Sequence, residues 1–212
     1  MTGSDEYLVY AIPNSELIDQ LRLIRHPEGG FFAETDRQTK EIPSPFADGA
    51  LRTLATTIYY LLTPDEANGV FHMNKSATMH VLHQGRAEYT LITPGTPPKI
   101  ERKVGLLLNL LVTVSANYKA PQVIGPNIHS GEVLQLLVPS GVWKMSRLLS
   151  ADLIAATSQE DGKERYGCLI TEVVFPGFAW EDHAFLTRAE FDKLFENSDS
   201  AEVKELIKYL EK

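Results

Sequence analysis

Cysteine is almost absent: Cys168 stands alone among 212 residues, so no disulfide can form within the chain. No apolar run approaches the ~20 residues that a membrane-spanning helix needs. The longest begins at Gly105, is interrupted by Asn109 and gives way to polar residues after Val112. Positive charge is in short supply as well, with 20 Lys and Arg against 28 Asp and Glu and a net charge of −8. The basic residues are scattered rather than gathered into a stripe able to neutralise phosphates, so nucleic acid is not an expected partner. Met1 to Ala11 has neither the basic start nor the apolar stretch of a secretory signal. These absences predict a soluble, cytoplasmic protein with no membrane partner. What is present is a hydrophobic content of 43%, enough for one well-cored domain at this length.

After a flexible tail over residues 1–13, Asn14 stands where it would cap a helix, and Leu17, Ile18, Leu21 and Ile24 recur at helical spacing. His26-Pro-Glu-Gly-Gly30 stops that helix, because proline restricts the residue before it and the glycines permit turn geometry. Phe31 to Thr35 reads as a strand. From Leu51 the chain becomes a series of short β-rich runs: Leu51 to Leu62, Val70 to Met73, Met79 to His83, Ala87 to Ile92, Glu132 to Val138, Val142 to Leu149 and Tyr166 to Phe175. Turn signals such as Asn68-Gly69, Gln84-Gly85 and Pro139-Ser-Gly141 separate them. Short strands with Gly/Pro turns indicate a sandwich or barrel. Helices are expected again only at the end. Thr187 with Glu190 and Asp199 with Glu202 form capping-box patterns ahead of apolar residues. The pattern gives a single domain over 14–195 and a C-terminal helix over 196–212.

Several ordered blocks carry a resemblance: His26-Pro-Glu-Gly-Gly-Phe-Phe-Ala-Glu-Thr35, Thr57-Ile-Tyr-Tyr-Leu-Leu62, Phe71-His72, Gly131-Glu132 with Gln135, Val138-Pro-Ser-Gly-Val-Trp143, and Val174-Phe-Pro-Gly-Phe178 with Glu181-Asp182. Over roughly Leu17 to Leu186 the chain resembles the DUF985, or cupin 5, family. The resemblance implies a mainly β fold, the cupin double-stranded β-helix or jelly-roll barrel, with a short N-terminal helix and C-terminal helices. It also implies a small-molecule pocket and pairing as a homodimer, in a family whose members largely lack an established reaction. In fold it is similar to nucleotide-sugar epimerases, an analogy that assigns no activity by itself.

Many cupins hold a metal with histidines and a carboxylate. Here His72 can stand for the first histidine, but Met73 and Asn74 follow it, Thr78 takes the carboxylate's place and Lys144 the late histidine's. No metal and no cofactor is therefore expected, since an ammonium repels a cation. His80 and His83, three apart, would point to opposite faces of a strand. His80 reads as a half-buried strand residue with a backbone partner.

For the pocket, His72 is the candidate base and Glu172 its candidate partner in proton transfer, because a carboxyl sharing a strand face with Ile170 and Val174 titrates high unless paired. A salt bridge from Glu172 to Lys144 or Arg147 is the competing expectation. Gln135, flanked on its own face by Val133 and Leu137, would read a ligand's donor and acceptor pattern. Tyr60, Tyr89, Trp143 and Phe178 would supply aromatic walls, and Lys144 would hold an anionic group. Three readings follow: a metal-independent isomerase or epimerase acting on a carbonyl- or sugar-like compound, a ligand-binding cupin without catalysis, and a metal-dependent dioxygenase or decarboxylase, disfavoured by Thr78 and Lys144.

One segment departs from the family pattern, in which Arg102-Lys103 would run almost directly into Val123-Ile124-Gly125-Pro126. Val104 to Gln122 stands between them, apolar at first and without a turn signal in that stretch. As folded protein it would be an extra strand or an aggregation-prone strip. Its 19 residues also read as a translated, in-frame intron. Val104-Gly105 can be encoded by GTAGGT, Ala116-Asn117 by GCTAAC and Gln122 by CAG, which together make a donor, a branch site and an acceptor.

Overall fold

The computed structural model describes residues 12–101, 122–196 and 200–211. The flexible tail expected before residue 12, and Val104 to Pro121 of the atypical segment, lie outside the described residues. The chain begins with helix α1 (Asn14–Gln20), followed by strands β1 (Ile24–Arg25), β2 (Phe31–Arg37), β3 (Glu41–Pro43), β4 (Leu51–Thr53) and β5 (Thr56–Leu62). Next come β6 (His72–Asn74), β7 (Ala77–Gly85), β8 (Ala87–Thr93), β9 (Lys99–Glu101), β10 (Gln122–Ile124), β11 (Gln135–Val138) and β12 (Trp143–Arg147). Helices α2 (Ser150–Ser158) and α3 (Gly162–Arg165) precede β13 (Cys168–Phe175) and β14 (His183–Phe185), and α4 (Arg188–Leu194) and α5 (Ala201–Leu206) complete the described chain.

The architecture is mainly β and consistent with a jelly roll. One six-stranded sheet has the order β1-β2-β5-β13-β7-β11, and the other runs β10-β8-β12-β6-β14 with β9 also on β8. All named strand pairs are antiparallel. Alternation along each strand sends one set of side chains between the sheets. There Tyr60, Leu62, Leu136, Val138 and Ile170 from the first sheet meet Ala87, Tyr89, Leu91 and Ile124 from the second.

Helices pack on both outer faces. Leu17, with Ile18 and Leu21, packs on Leu61 and Leu169 outside the first sheet. Phe191, Phe195, Val203 and Leu206 pack on Phe71, Ile92, Trp143 and Met145 outside the second. The Thr187–Glu190 capping box forms at the start of α4, as its pattern predicts.

Several local expectations are corrected. Asn14 does not cap α1. Pro13 takes that position, and the buried Asn14 amide donates to the carbonyls of Lys163 and Tyr166, tying α1 to α3. Asp199 lies outside the described residues, and Ser200 caps α5 by accepting from the Val203 N–H. The run Leu51 to Leu62 divides into β4 and β5. Helices are not confined to the end either, because α2 and α3 fold between β12 and β13. Asp152 of α2 receives the Arg86 guanidinium at 2.7 and 2.9 Å, which anchors this pair to the barrel.

Candidate functional site

Eight side chains line one cavity between the sheets, seven of them brought there by strand alternation: Glu28, Tyr60, His72, His80, Tyr89, Lys144, Ser146 and Glu172. Cross-strand register explains the grouping. Lys144 stands opposite His72, Ser146 opposite Tyr89, and Glu172 opposite His80. Each pair therefore shares a face at contact distance. The empty space among them is about 230 Å³ when the open solvent at its mouth is counted.

Glu28 is the one lining residue that does not come from a strand. It sits in the turn before β2, where Gly29 and Gly30 adopt φ of 98° and 71°, conformations that glycine adopts at little cost. A Cβ on Gly29 would stand 2.4 Å from the Asn68 carbonyl oxygen. The glycine is thus required for the turn to lie against Asn68-Gly69. The Glu28 carbonyl accepts the Val70 N–H at 2.8 Å, which draws the carboxylate next to His72.

Three imidazoles surround that carboxylate. His183 Nε2 donates to Glu28 Oε1 at 2.8 Å, His72 Nε2 faces Oε2 at 3.1 Å, and His26 Nδ1 lies 3.6 Å from Oε2. His72 Nδ1 donates to the Val70 carbonyl at 2.9 Å, so in the neutral ring Nε2 is an acceptor. Burial lowers the His72 pKa to about 4 against the pull of Glu28. Burial by itself would raise the Glu28 pKa, but His72 and His183 bring it below the usual carboxylate range. Two acceptors consequently face each other, and His72 Nε2 is buried without a hydrogen-bond donor. A proton held between them would satisfy both.

The side chains around Lys144 are fully bonded. Lys144, 2% exposed, gives its three N–H groups to Glu172, to Thr78 Oγ1 at 3.3 Å and to His80 Nε2 at 3.2 Å. His80 Nδ1 then donates to the Tyr89 hydroxyl at 3.1 Å. Burial is the largest influence on the His80 pKa and lowers it to about 3, so the ring is neutral at physiological pH. The Glu172 carboxyl would be raised by burial, but the Lys144 ammonium beside it and then His80 lower it to about 2. Burial raises the Tyr60 and Tyr89 phenols well above the ordinary range, keeping the protons on.

Of the residues singled out from sequence, His72, Glu172, Tyr60, Tyr89 and Lys144 come together here, whereas Gln135, Trp143 and Phe178 do not. Gln135 projects from the outer face of β11, since Leu136 and Val138 are the residues facing inward. Trp143 alternates with Lys144 and joins Phe71 and Phe191 beneath the C-terminal helices. Phe178 packs edge-on against Trp180 and His183 outside the cavity. Glu172 is ionised rather than poised to give a proton, because Lys144 pairs with it. Lys144 in turn has no donor left for a ligand anion. His80 is buried against side chains rather than half-buried on a backbone partner, while His83 points outward to Thr171.

Sequence reasoning missed Glu28 and Ser146 as lining residues. Ser146 was legible, being two residues from Lys144 on one strand. Glu28 was not, because its place depends on a turn packing against a distant loop. The residues present do not fit a metal. Lys144 places an ammonium directly beside His72 on the neighbouring strand, and among the described residues no three His, Cys, Asp or Glu side chains are arranged to hold an ion. No helix among the described residues is long and apolar enough to cross a membrane.

Comparison with known proteins places this geometry in a family context. The family described as Cupin superfamily (DUF985) matches residues 15–186. The uncharacterized protein YML079W of Saccharomyces cerevisiae is 39% identical over 179 residues, covering 81% of this chain and 74% of that protein. A hypothetical protein from Leishmania major has a similar structure, with a TM-score of 0.67 at 23% identity over 91% of this chain and 97% of that one. Protein SO0799 from Shewanella oneidensis gives a TM-score of 0.65 at 20% identity over 94% and 98%. At these identities the two structures show a shared fold only.

Proposed function

This chain belongs to the DUF985 family of the cupin superfamily, and from that premise we propose that it binds a small carbonyl- or sugar-like compound and transfers a proton on it without a metal. The observation that carries this reading is the buried His72 Nε2, which lacks a donor and faces Glu28 across 3.1 Å. A neutral imidazole oriented through its other nitrogen is the usual form of a general base. A proton taken from carbon beside a carbonyl would lie between Nε2 and the Glu28 carboxylate, which stabilises the imidazolium as it forms. Tyr89 and Tyr60, protonated and lining the same cavity, are the available acids. Lys144 and Glu172 hold His80 and, through it, the Tyr89 hydroxyl in place.

Solvent deuterium exchange into a panel of small ketoses, keto acids and nucleotide-linked keto sugars tests the reading. The expected result is exchange beside the carbonyl of at least one compound, reduced roughly 10²- to 10⁴-fold in His72→Gln with binding retained. Binding without exchange across the panel would instead support a non-catalytic ligand-binding cupin.

The family resemblance also implies a homodimer. We propose that its interface is the part of the first sheet's outer face that α1 leaves uncovered. Met79, Val81 and Val173 are half-buried there, and Leu137 is 50% exposed. An uncovered apolar sheet face of this kind suits a partner of the same composition.

A further inference from the structure

The strands β9 and β10 lie end to end along one edge of β8, whose other edge is occupied by β12. Ile100 stands opposite Ile92, and Val123 stands opposite Glu88. From Ile92 to Glu88 is four steps along β8, yet from Ile100 to Val123 is twenty-three along the chain, a surplus of nineteen residues. On this edge a single β8 position, Thr90, separates the residue paired with Glu101 from the one paired with Gln122. β8 sets the face of every residue paired with it, so Ile100 packs with Ile92 beneath the C-terminal helices and Ile124 packs with Ala87 between the sheets, the faces that one uninterrupted strand along this edge would also give.

We propose that Val104 to Gln122 is a nineteen-residue insertion into a single strand, translated from an unspliced in-frame intron, and that the functional chain runs directly from Lys103 into Val123. Removing these residues places Lys103 opposite Tyr89 and leaves Val123 opposite Glu88, in the register of both flanking strands. Every valine codon begins with GT, and the CAG codon for glutamine ends with AG, so both ends of the segment can carry the splice dinucleotides. The strand restored in this way runs beside Tyr89, a residue of the cavity. This inference rests on strand register and stands whether or not the cavity is catalytic.

Two measurements test it. Transcripts amplified across this region from the source cells are expected to include a form shorter by three nucleotides for each of the nineteen residues, and messages that always retain the block would overturn the intron. Independently, three shortened proteins are compared with the full chain by thermal unfolding: deletions of 104–122, of 105–122 and of 103–122. The first keeps the register, while the other two shift it by one residue in opposite directions. Deletion of 104–122 is expected to fold cooperatively with a midpoint roughly 2–4 °C above the full chain, as loss of a dispensable loop raises stability. The other two are expected to unfold below it. Equal midpoints for all three deletions, or a 104–122 deletion less stable than the full chain, would overturn the insertion.

Discussion

Lys144 is a long, charged side chain at 2% exposure, held by Glu172, Thr78 and His80. Removing one member of a buried ion pair leaves the other charge uncompensated, which is more damaging than removing both. Lys144→Met is therefore expected to lower the unfolding free energy by about 3–5 kcal/mol in urea titrations, and Lys144→Met with Glu172→Leu to recover most of that loss. A full loss in the double variant would show that the pair contributes through packing rather than charge. His80 makes a separate prediction. Its folded pKa of about 3 lies below the ~6.5 of an unfolded histidine, so between those values the unfolded chain binds one more proton. Stability is then greatest above pH ~6.5 and falls as pH drops, by up to ~1.4 kcal/mol per pH unit from this residue. His80→Gln is expected to flatten the dependence between pH 6 and pH 4.5 by about one proton, read from unfolding free energies across that range.

At the scale of elements, the cavity depends on a turn. Gly29 meets the Asn68 carbonyl where a Cβ would stand 2.4 Å from the oxygen, and its φ of 98° is strained for any other residue. Gly29→Ala must push the turn away from Asn68-Gly69 and carry Glu28 off His72 and His183. A loss of roughly 1–3 kcal/mol is expected, together with loss of ligand binding in the cavity, measured by urea unfolding and calorimetric titration. Retained binding would mean that Glu28 is not needed at the site. The strands behave differently, since their inward residues are set by alternation. His72, His80, Lys144 and Glu172 would converge wherever these strands pair in this register.

For the whole molecule, the two sheet exteriors are not treated alike. The C-terminal helices cover the second sheet and α1 covers part of the first, leaving Met79, Val81, Leu137 and Val173 on an open face. Light scattering on the purified protein is expected to give about twice the 23.7 kDa chain mass. Val81→Glu, a charge in the middle of that face, is expected to yield the monomer with the fold retained. A monomeric wild type would place the partner surface elsewhere or nowhere.

Composition and periodicity alone determined that this chain is a single-cysteine, mainly β protein of short strands, with helices at both ends. Strand spacing and Gly/Pro punctuation are local properties of the sequence. Five cavity residues were legible because they lie on strands or in matched blocks. Alternation also separated His80 from His83, and read through Val142 to Leu149 it would have set Trp143 apart from Lys144. The direction each face takes was not legible, and that is why Gln135 and Trp143 were misplaced: a period of two names two faces without saying which is inside. Only the tertiary structure brought Glu28 to His72, because that approach is made by a turn resting on residues forty positions away. It also paired Lys144 with Glu172, and it laid β9 and β10 along one edge of β8 with nineteen surplus residues between them, since pairing is a relation between strands and not a property of either.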